Sequence, residues 1–231
     1  MAEGDKDKAK WAAAEGALQY VENGMRIGLG TGSTAEKFVE LLGRRCRERD
    51  WRVVCVPTSE ATRAQAERLG LALDEAYPDF RSLDIVVDGA DEIDGKGNLT
   101  KGGGGALLRE KYVASAADKM IVIVDEAKHV EALGTTFRIP VEIVAFAWSN
   151  TLERLRRLAD KVELRKRGGR VFVTDQGNYI ADCTFARIED PAELHRQLKA
   201  LLGVVETGIF SGLAKVCITG RADGSFSVRE F

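Results

Sequence analysis

The sequence predicts an α/β protein, a parallel sheet with helices on both faces joined to a smaller α+β unit. Two patterns carry this. Up to about residue 133, short runs of Val, Ile and Leu alternate with amphipathic stretches, as in MRIGLG (25–30), RVVCVPT (52–58), LDIVVDGA (83–90) and MIVIVDEA (120–127). Strands apolar on both sides and separated by helix-length segments belong in a sheet covered on both faces, a Rossmann-like layer. Beyond residue 133 the rhythm changes to strand, helix, two hairpin-like strands and helix, which predicts a ferredoxin-like unit with an antiparallel sheet.

Residues 6–22 predict the first helix, because Trp11, Ala14, Leu18 and Val21 recur at helical spacing until Asn23-Gly24 ends it. Further helices are predicted over 33–48, 59–70 and 104–119. In the second unit FRIPVEIVAF, SNTLERLRRLAD, VELRK, RVFVTDQGNYIADCTF and PAELHRQLKALL follow in order, with a turn at Asp175-Gln176-Gly177-Asn178. The tail (VVETGIF, KVCITG, FSVREF) reads as strands returning to the first sheet. The expected domains are therefore 1–133 with 204–231, and an insertion at 134–203.

Composition narrows the function. A chain of 231 residues, 45% hydrophobic and 30% charged, suits an ordinary globular protein. The net charge of -2 comes from intermixed signs, so no field recruits nucleic acid or an anionic membrane, and any phosphate site must be local. Cys46, Cys55, Cys183 and Cys217 form no Cys-x-x-Cys pair, which argues against zinc or redox chemistry and for reduced thiols. The N-terminus MAEGDKDKAK is charged and no apolar run approaches the ~20 residues of a membrane span, so a cytoplasmic location is expected. His129 and His195, the only histidines, read as solvated helix-face residues, leaving few candidates for a Ser-His or Cys-His hydrolase.

Three segments carry chemistry. Gly28-Leu29-Gly30-Thr31-Gly32-Ser33-Thr34 follows a strand and opens a helix, where glycines admit a ligand and a helix N-terminus suits a phosphate. It matches neither a dinucleotide fingerprint nor a Walker loop. Its structural reading is a capping box, Ser33 as N-cap and Glu36 at N3. In DIVVDGADEID an apolar strand ends in Asp88, Gly89, Ala90 and Asp91, at the strand end where a parallel sheet binds ligands. Glu92 and Asp94 read as solvated turn residues. The Asp spacing does not fit an EF-hand, and a magnesium ion lacks a second ligand cluster. Lys101-Gly102-Gly103-Gly104-Gly105 is either backbone held close to a ligand or a hinge. Glu110, within Arg109-Glu110-Lys111, reads by itself as a solvated helix-face charge.

Taken in order, GxGTGST, DGADEID, KGGGGA and LxREK closely resemble the type A ribose-5-phosphate isomerases, from about Lys10 to the C-terminal strands. The Thr58-Ser59-Glu60 turn and the Pro140-Val141-Glu142 strand join the match. The resemblance implies an aldose–ketose isomerase of the pentose phosphate pathway, acting on ribose 5-phosphate and ribulose 5-phosphate through an enediol, without cofactor or metal, as a homodimer or higher oligomer. It implies Glu110 as the acid/base, Asp88 as the group assisting ring opening, and Asp91 and Lys101 on the O1/O2 region. Gly89, Ala90 and Gly102, Gly103 and Gly104 would contact the substrate through backbone. Thr31, Gly32, Ser33 and Thr34 would line its site, and Lys10 would reach the phosphate. One departure concerns Thr135-Thr136-Phe137-Arg138, because the family often has a lysine after the Leu-Gly matching Leu133-Gly134. Thr135 and Arg138 are both candidates to replace it.

The chemistry agrees with the resemblance. An enediol isomerisation needs one base on one face of the carbon pair and groups that stabilise charge on the oxygens, and a carboxylate serves if burial lifts its pKa. The rivals are a sugar-phosphate sensor, which would carry a DNA-binding appendage, an amino-sugar phosphate isomerase/deaminase, disfavoured by the scarcity of histidine, and a CoA transferase.

Overall fold

The computed structural model describes residues 3–74, 80 and 82–231. It divides into two compact units, Met1–Ala90 with Arg109–Lys128 and Leu213–Phe231, and Asp91–Leu108 with His129–Gly212. The chain runs α1 (Glu3–Ala17), β1 (Arg26–Leu29), α2 (Ser33–Arg49), β2 (Val54–Pro57), α3 (Glu60–Arg68), β3 (Ala72–Leu73) and β4 (Leu83–Asp88). Then come β5 (Glu92–Ile93), β6 (Leu99–Thr100), α4 (Leu107–Ser115), β7 (Ala117–Asp125), β8 (Ile139–Ile143), α5 (Trp148–Leu155) and β9 (Lys161–Leu164). It ends with β10 (Lys166–Arg167), β11 (Arg170–Val171), β12 (Tyr179–Thr184), α6 (Pro191–Lys199), β13 (Val204–Thr207), β14 (Ile209–Phe210), β15 (Ala214–Gly220) and β16 (Phe226–Glu230).

In the first unit the sheet order is β16-β15-β7-β4-β1-β2-β3, parallel throughout except for the β15–β16 edge pair. Numbered within this sheet, the parallel strands follow the doubly wound order 3-2-1-4-5-6, which reverses between β1 and β4. The continuous apolar runs are explained by burial on both faces, since Ile27, Leu29, Val86, Val87 and Ile121 to Val124 are all buried. Phe38 and Leu42 of α2 pack into the same core. Each such side chain contributes ~1.5–3 kcal/mol when fully buried. Alanines let α1 lie close to the sheet, and a Cβ at Gly220 would strike the Ala9 carbonyl.

The second unit holds a four-stranded antiparallel sheet in the order β13-β8-β12-β9. With α5 and α6 this is the βαββαβ arrangement of a ferredoxin-like unit. Ile139, Val141 and Ile143 of β8 pack with Leu152, Leu155 and Leu198 from the two helices. Asp190 caps α6 by accepting the Glu193 N–H, and Pro191 takes the first turn. A three-stranded sheet, β14-β6-β5, and the antiparallel β10–β11 pair complete the unit.

Two expectations need correction. Only β15 and β16 of the tail join the large sheet, because Val204–Thr207 is the fourth strand the small sheet needs beside β8, and Ile209–Phe210 pairs with β6. The helix expected to reach residue 119 stops at Ser115, because Ala117 and Lys119 pair with Leu83 and Ile85 of β4 and sheet pairing overrides the alanines' helix propensity.

Candidate active site

In the first unit, the register Leu29↔Val87 brings the ends of β1 and β4 side by side, at the reversal of strand order. Gly30 N–H donates to the Val87 carbonyl at 2.9 Å. Its missing side chain is required, since a Cβ there would collide with the Asp88 carboxylate and Cα. Asp88 is fully buried, and its Oδ1 accepts the N–H groups of Thr31 (3.1 Å) and Gly89 (2.7 Å). Gly89 and Ala90 follow, half-buried.

Beside this turn lies a hydroxyl cluster that the residue-by-residue reading of the sequence passed over. Thr31 Oγ1 stands 2.7 Å from Thr58 Oγ1, 2.9 Å from Ser59 Oγ and 3.1 Å from Thr62 Oγ1. The proton count fixes its direction. Thr58 donates to the Leu29 carbonyl, Thr62 to the Gly30 carbonyl and Ser59 to Thr62, so their protons are committed elsewhere and the single Thr31 hydroxyl proton goes to Ser59 Oγ. Ser59 also caps α3 through the Thr62 N–H. The available signal was three hydroxyl residues, Thr58, Ser59 and Thr62, within the five positions after an apolar strand.

Gly32, at φ 115°, is the N-cap of α2, and no side chain caps that helix. Ser33 is thus the first helical residue, and the expected capping box is absent. The N–H groups of a helical first turn have no intrahelical partner and suit an anion. Ser33 is exposed and Thr34 half-buried, as is Lys10 on α1. A cleft of about 400 Å³ opens beside Thr31 and Gly32, edged by Lys37 and Arg68.

Glu110 is 3% exposed. It lies on the face of α4 that also carries Leu107, Val113 and Ala114, all buried, so it is not a solvated charge. Its spacing from those apolar residues was the sequence signal for this. Gly28 lets the helix approach, since a Cβ there would collide with Val113. The preceding residue, Arg109, turns to Glu60 at 2.7 Å.

In the second unit, Asp91 N–H donates to the Thr100 carbonyl and its Oδ2 accepts the Gly103 N–H, both at 2.8 Å. Lys101 is 2% exposed, with Nζ 5.7 Å from the centroid of Phe210. Gly102 and Gly105 have φ of 98° and 90°, which strongly favour glycine, and the Phe172 ring occupies the space a side chain at 105 would need. Arg165, not singled out from sequence, donates to the carbonyls of Gly102 (2.8 Å) and Gly103 (3.1 Å).

Glu92 and Asp94 are buried rather than solvated. Glu92 accepts from Thr100 Oγ1, Thr136 Oγ1 and the N–H groups of Gly134, Thr136 and Phe137. Asp94 closes its own turn on Lys96 and Asn98. Thr135 donates to the Ala132 carbonyl, and Arg138 is half-exposed and paired with Glu163. Of the histidines, His195 is half-buried against Thr207 Oγ1 at 2.8 Å. All four cysteines are free, and burial pushes the Cys55 and Cys183 thiols up to about 12.

Fold and site together define a doubly wound α/β protein with Asp88 at the carboxyl end of a central strand and a buried glutamate, Glu110, on α4. Residues 54–224 match the family model of ribose 5-phosphate isomerase A (phosphoriboisomerase A). Ribose-5-phosphate isomerase A of Nitrobacter hamburgensis is 50% identical over 225 residues, covering 94% of this chain and 96% of that protein. The solved ribose 5-phosphate isomerase of Plasmodium falciparum superposes with a TM-score of 0.90 at 36% identity, covering 98% of this chain and 99% of that one. A second D-ribose-5-phosphate isomerase structure, in complex with phospho-erythronic acid, also gives 0.90 at 36% identity, covering 96% and 97%. This chain belongs to the ribose 5-phosphate isomerase A family.

Proposed function

We infer that this protein interconverts D-ribose 5-phosphate and D-ribulose 5-phosphate, an aldose–ketose isomerisation of the non-oxidative pentose phosphate pathway. The observation that carries the reading, within this family, is a glutamate 3% exposed on the apolar face of α4. A carboxylate is rarely buried without a task. Glu110 takes the C2 proton of the open-chain aldose while the electron pair moves onto the C1 carbonyl, forming an enediolate. It then returns the proton to C1 as the O2 hydroxyl becomes a carbonyl and O1 gains a proton. Asp88 assists opening of the furanose ring. Asp91 and Lys101 hold and polarise O1 and O2, with backbone contact from Gly89, Ala90 and Gly102 to Gly104. Thr31, Gly32, Ser33 and Thr34, where the chain enters α2, line the substrate site, and Lys10 reaches the phosphate. The proton moves between two carbons and no electrons leave, so the reaction is balanced without a redox cofactor.

The test is to incubate the EDTA-treated protein with ribose 5-phosphate and follow ribulose 5-phosphate. Turnover is expected; binding without turnover by folded protein would instead favour a sensor. The same reading makes the protein a cytoplasmic homodimer or higher oligomer with no nucleic acid or membrane partner. Sedimentation velocity measures the stoichiometry. Among the described residues no helix is long and apolar enough to cross a membrane.

A further inference from the structure

We propose that Arg165 is a positioning residue that, anchored by Asp182, fixes the Gly102-Gly103 peptide and through it the carboxylate of Asp91. The proposal rests on reading Asp91 as a substrate-holding group of an isomerase. Arg165 Nε donates to Asp182 Oδ2 at 2.9 Å and Nη2 to Oδ1, a two-point fork between side chains each 12% exposed. The fork leaves Nη1 for the two glycine carbonyls. A trans peptide points its C=O and N–H in opposite directions. Arg165 therefore holds the Gly102-Gly103 peptide at its oxygen while Asp91 Oδ2 holds the same peptide at its nitrogen. The guanidinium also takes the Gly103 carbonyl, which turns the Gly104 N–H away from Arg165.

Successive glycines need such a strut. Ordering each backbone unit costs ~1–2 kcal/mol, and glycine brings no side chain to recover it. A side chain at Gly103 would stiffen the loop only by displacing the carboxylate it serves, because a Cβ would come within 2.7 Å of Asp91 Oδ1. A charged donor on the carbonyl also polarises the amide and strengthens its bond to Asp91. Lysine cannot replace this, since a single ammonium lacks the planar fork that meets Asp182 and the carbonyls together.

The experiment compares Arg165→Ala, Arg165→Lys and Asp182→Asn with wild type. Arg165→Ala should lower kcat by about 10- to 100-fold, the scale of a misplaced catalytic group, with KM changed less than about threefold. Arg165→Lys should not restore it. Added methylguanidinium should restore part of it, because Arg165 and Asp182 line an open cleft of about 580 Å³. Should Arg165→Ala not fold, Asp182→Asn keeps the volume and is expected to lower kcat by a smaller factor. On an Asp91→Asn background the Arg165 substitution should add less than about twofold, because the two act as one unit. Normal kcat in Arg165→Ala, or an undiminished further loss on Asp91→Asn, overturns the proposal. A wild type that does not isomerise ribose 5-phosphate overturns the functional reading alone. The anchoring is then judged by the Gly103 amide, whose hydrogen exchange should accelerate at least about tenfold in Arg165→Ala, and unchanged exchange overturns it.

Discussion

Asp88 and Asp91 are near neighbours in sequence and are held by different means. Each lies against a glycine whose Cβ it excludes, Gly30 and Gly103, and each accepts backbone N–H groups. Around Asp88 the framework is the parallel sheet itself, because Gly30 is still bonded to Val87 and the hydroxyls of Thr58 and Thr62 close on β1 carbonyls. Asp91 keeps one backbone bond, to Thr100, but the glycine loop its carboxylate meets is anchored by a long side chain, Arg165 on the glycine carbonyls, just as Glu92 anchors residues 134–137. Backbone ladders position a group rigidly and tolerate little, whereas side-chain struts can be removed one at a time.

The largest expected effect tests the proposed acid/base chemistry. Glu110→Gln keeps the shape and removes the base, so kcat should fall by more than ~100-fold while KM stays within a few-fold in steady-state assays. Near-normal turnover would exclude Glu110 as the base. Next in size is Glu92→Ala, which strips the acceptor from the buried N–H groups of Gly134, Thr136 and Phe137. Urea denaturation should show a loss of about 3 kcal/mol. A loss under ~1 kcal/mol would mean that this loop does not depend on its strut.

The paired glycines test the comparison directly. Gly30→Ala would press a methyl into the Cα of Asp88 as well as its carboxylate, so a loss of ~1–3 kcal/mol and most of the activity is expected. At Gly103 the nearest atoms all belong to the Asp91 carboxyl group, which can rotate away. Gly103→Ala should therefore leave stability within ~1 kcal/mol and act mainly on kcat. Equal stability losses in the two variants would break the distinction. Lys10→Ala and Ser33→Ala should do less, chiefly raising KM, since phosphate contacts supply binding energy remote from the reacting carbons; an unchanged KM would count against that placement.

The same contrast explains what the sequence revealed. The doubly wound sheet, the βαββαβ unit and the position of Asp88 were legible, because a buried parallel strand must be apolar throughout and a ligand turn must follow it. Glu110 was legible as a candidate only through the resemblance, although Leu107, Val113 and Ala114 mark its face as buried. Arg165 and the role of Glu92 were not legible. Their partners lie 63 and 44 positions away, and no local pattern records a bond across such a separation. The fate of Val204–Thr207 was hidden for a related reason, since an apolar strand suits either sheet and only the pairing with β8 decides.

Glu142 offers the smallest effect and the finest version of the comparison. Like Glu92 it is fully buried in the second unit, but among the described residues it accepts only from Thr174 Oγ1 and Asn178 Nδ2, both at 2.9 Å on Oε1, and its Oε2 has no hydrogen-bond partner there. Burial pushes its carboxyl above the usual 4.5, the bonds from Asn178 and Thr174 pull it back, and the charges of Glu206 and Asp175 raise it again. With the folded pKa raised, the native state keeps a proton that the unfolded chain releases, so stability declines as pH rises from 4.5 through the folded value. Glu142→Gln copies the protonated form, with its amide oxygen still able to accept from Thr174 and Asn178. It should match wild type near pH 4.5 and exceed it at neutral pH, flattening the pH dependence of urea denaturation midpoints. A variant less stable than wild type at neutral pH would show instead that the Glu142 carboxylate is ionised and held by the N–H and O–H groups around it.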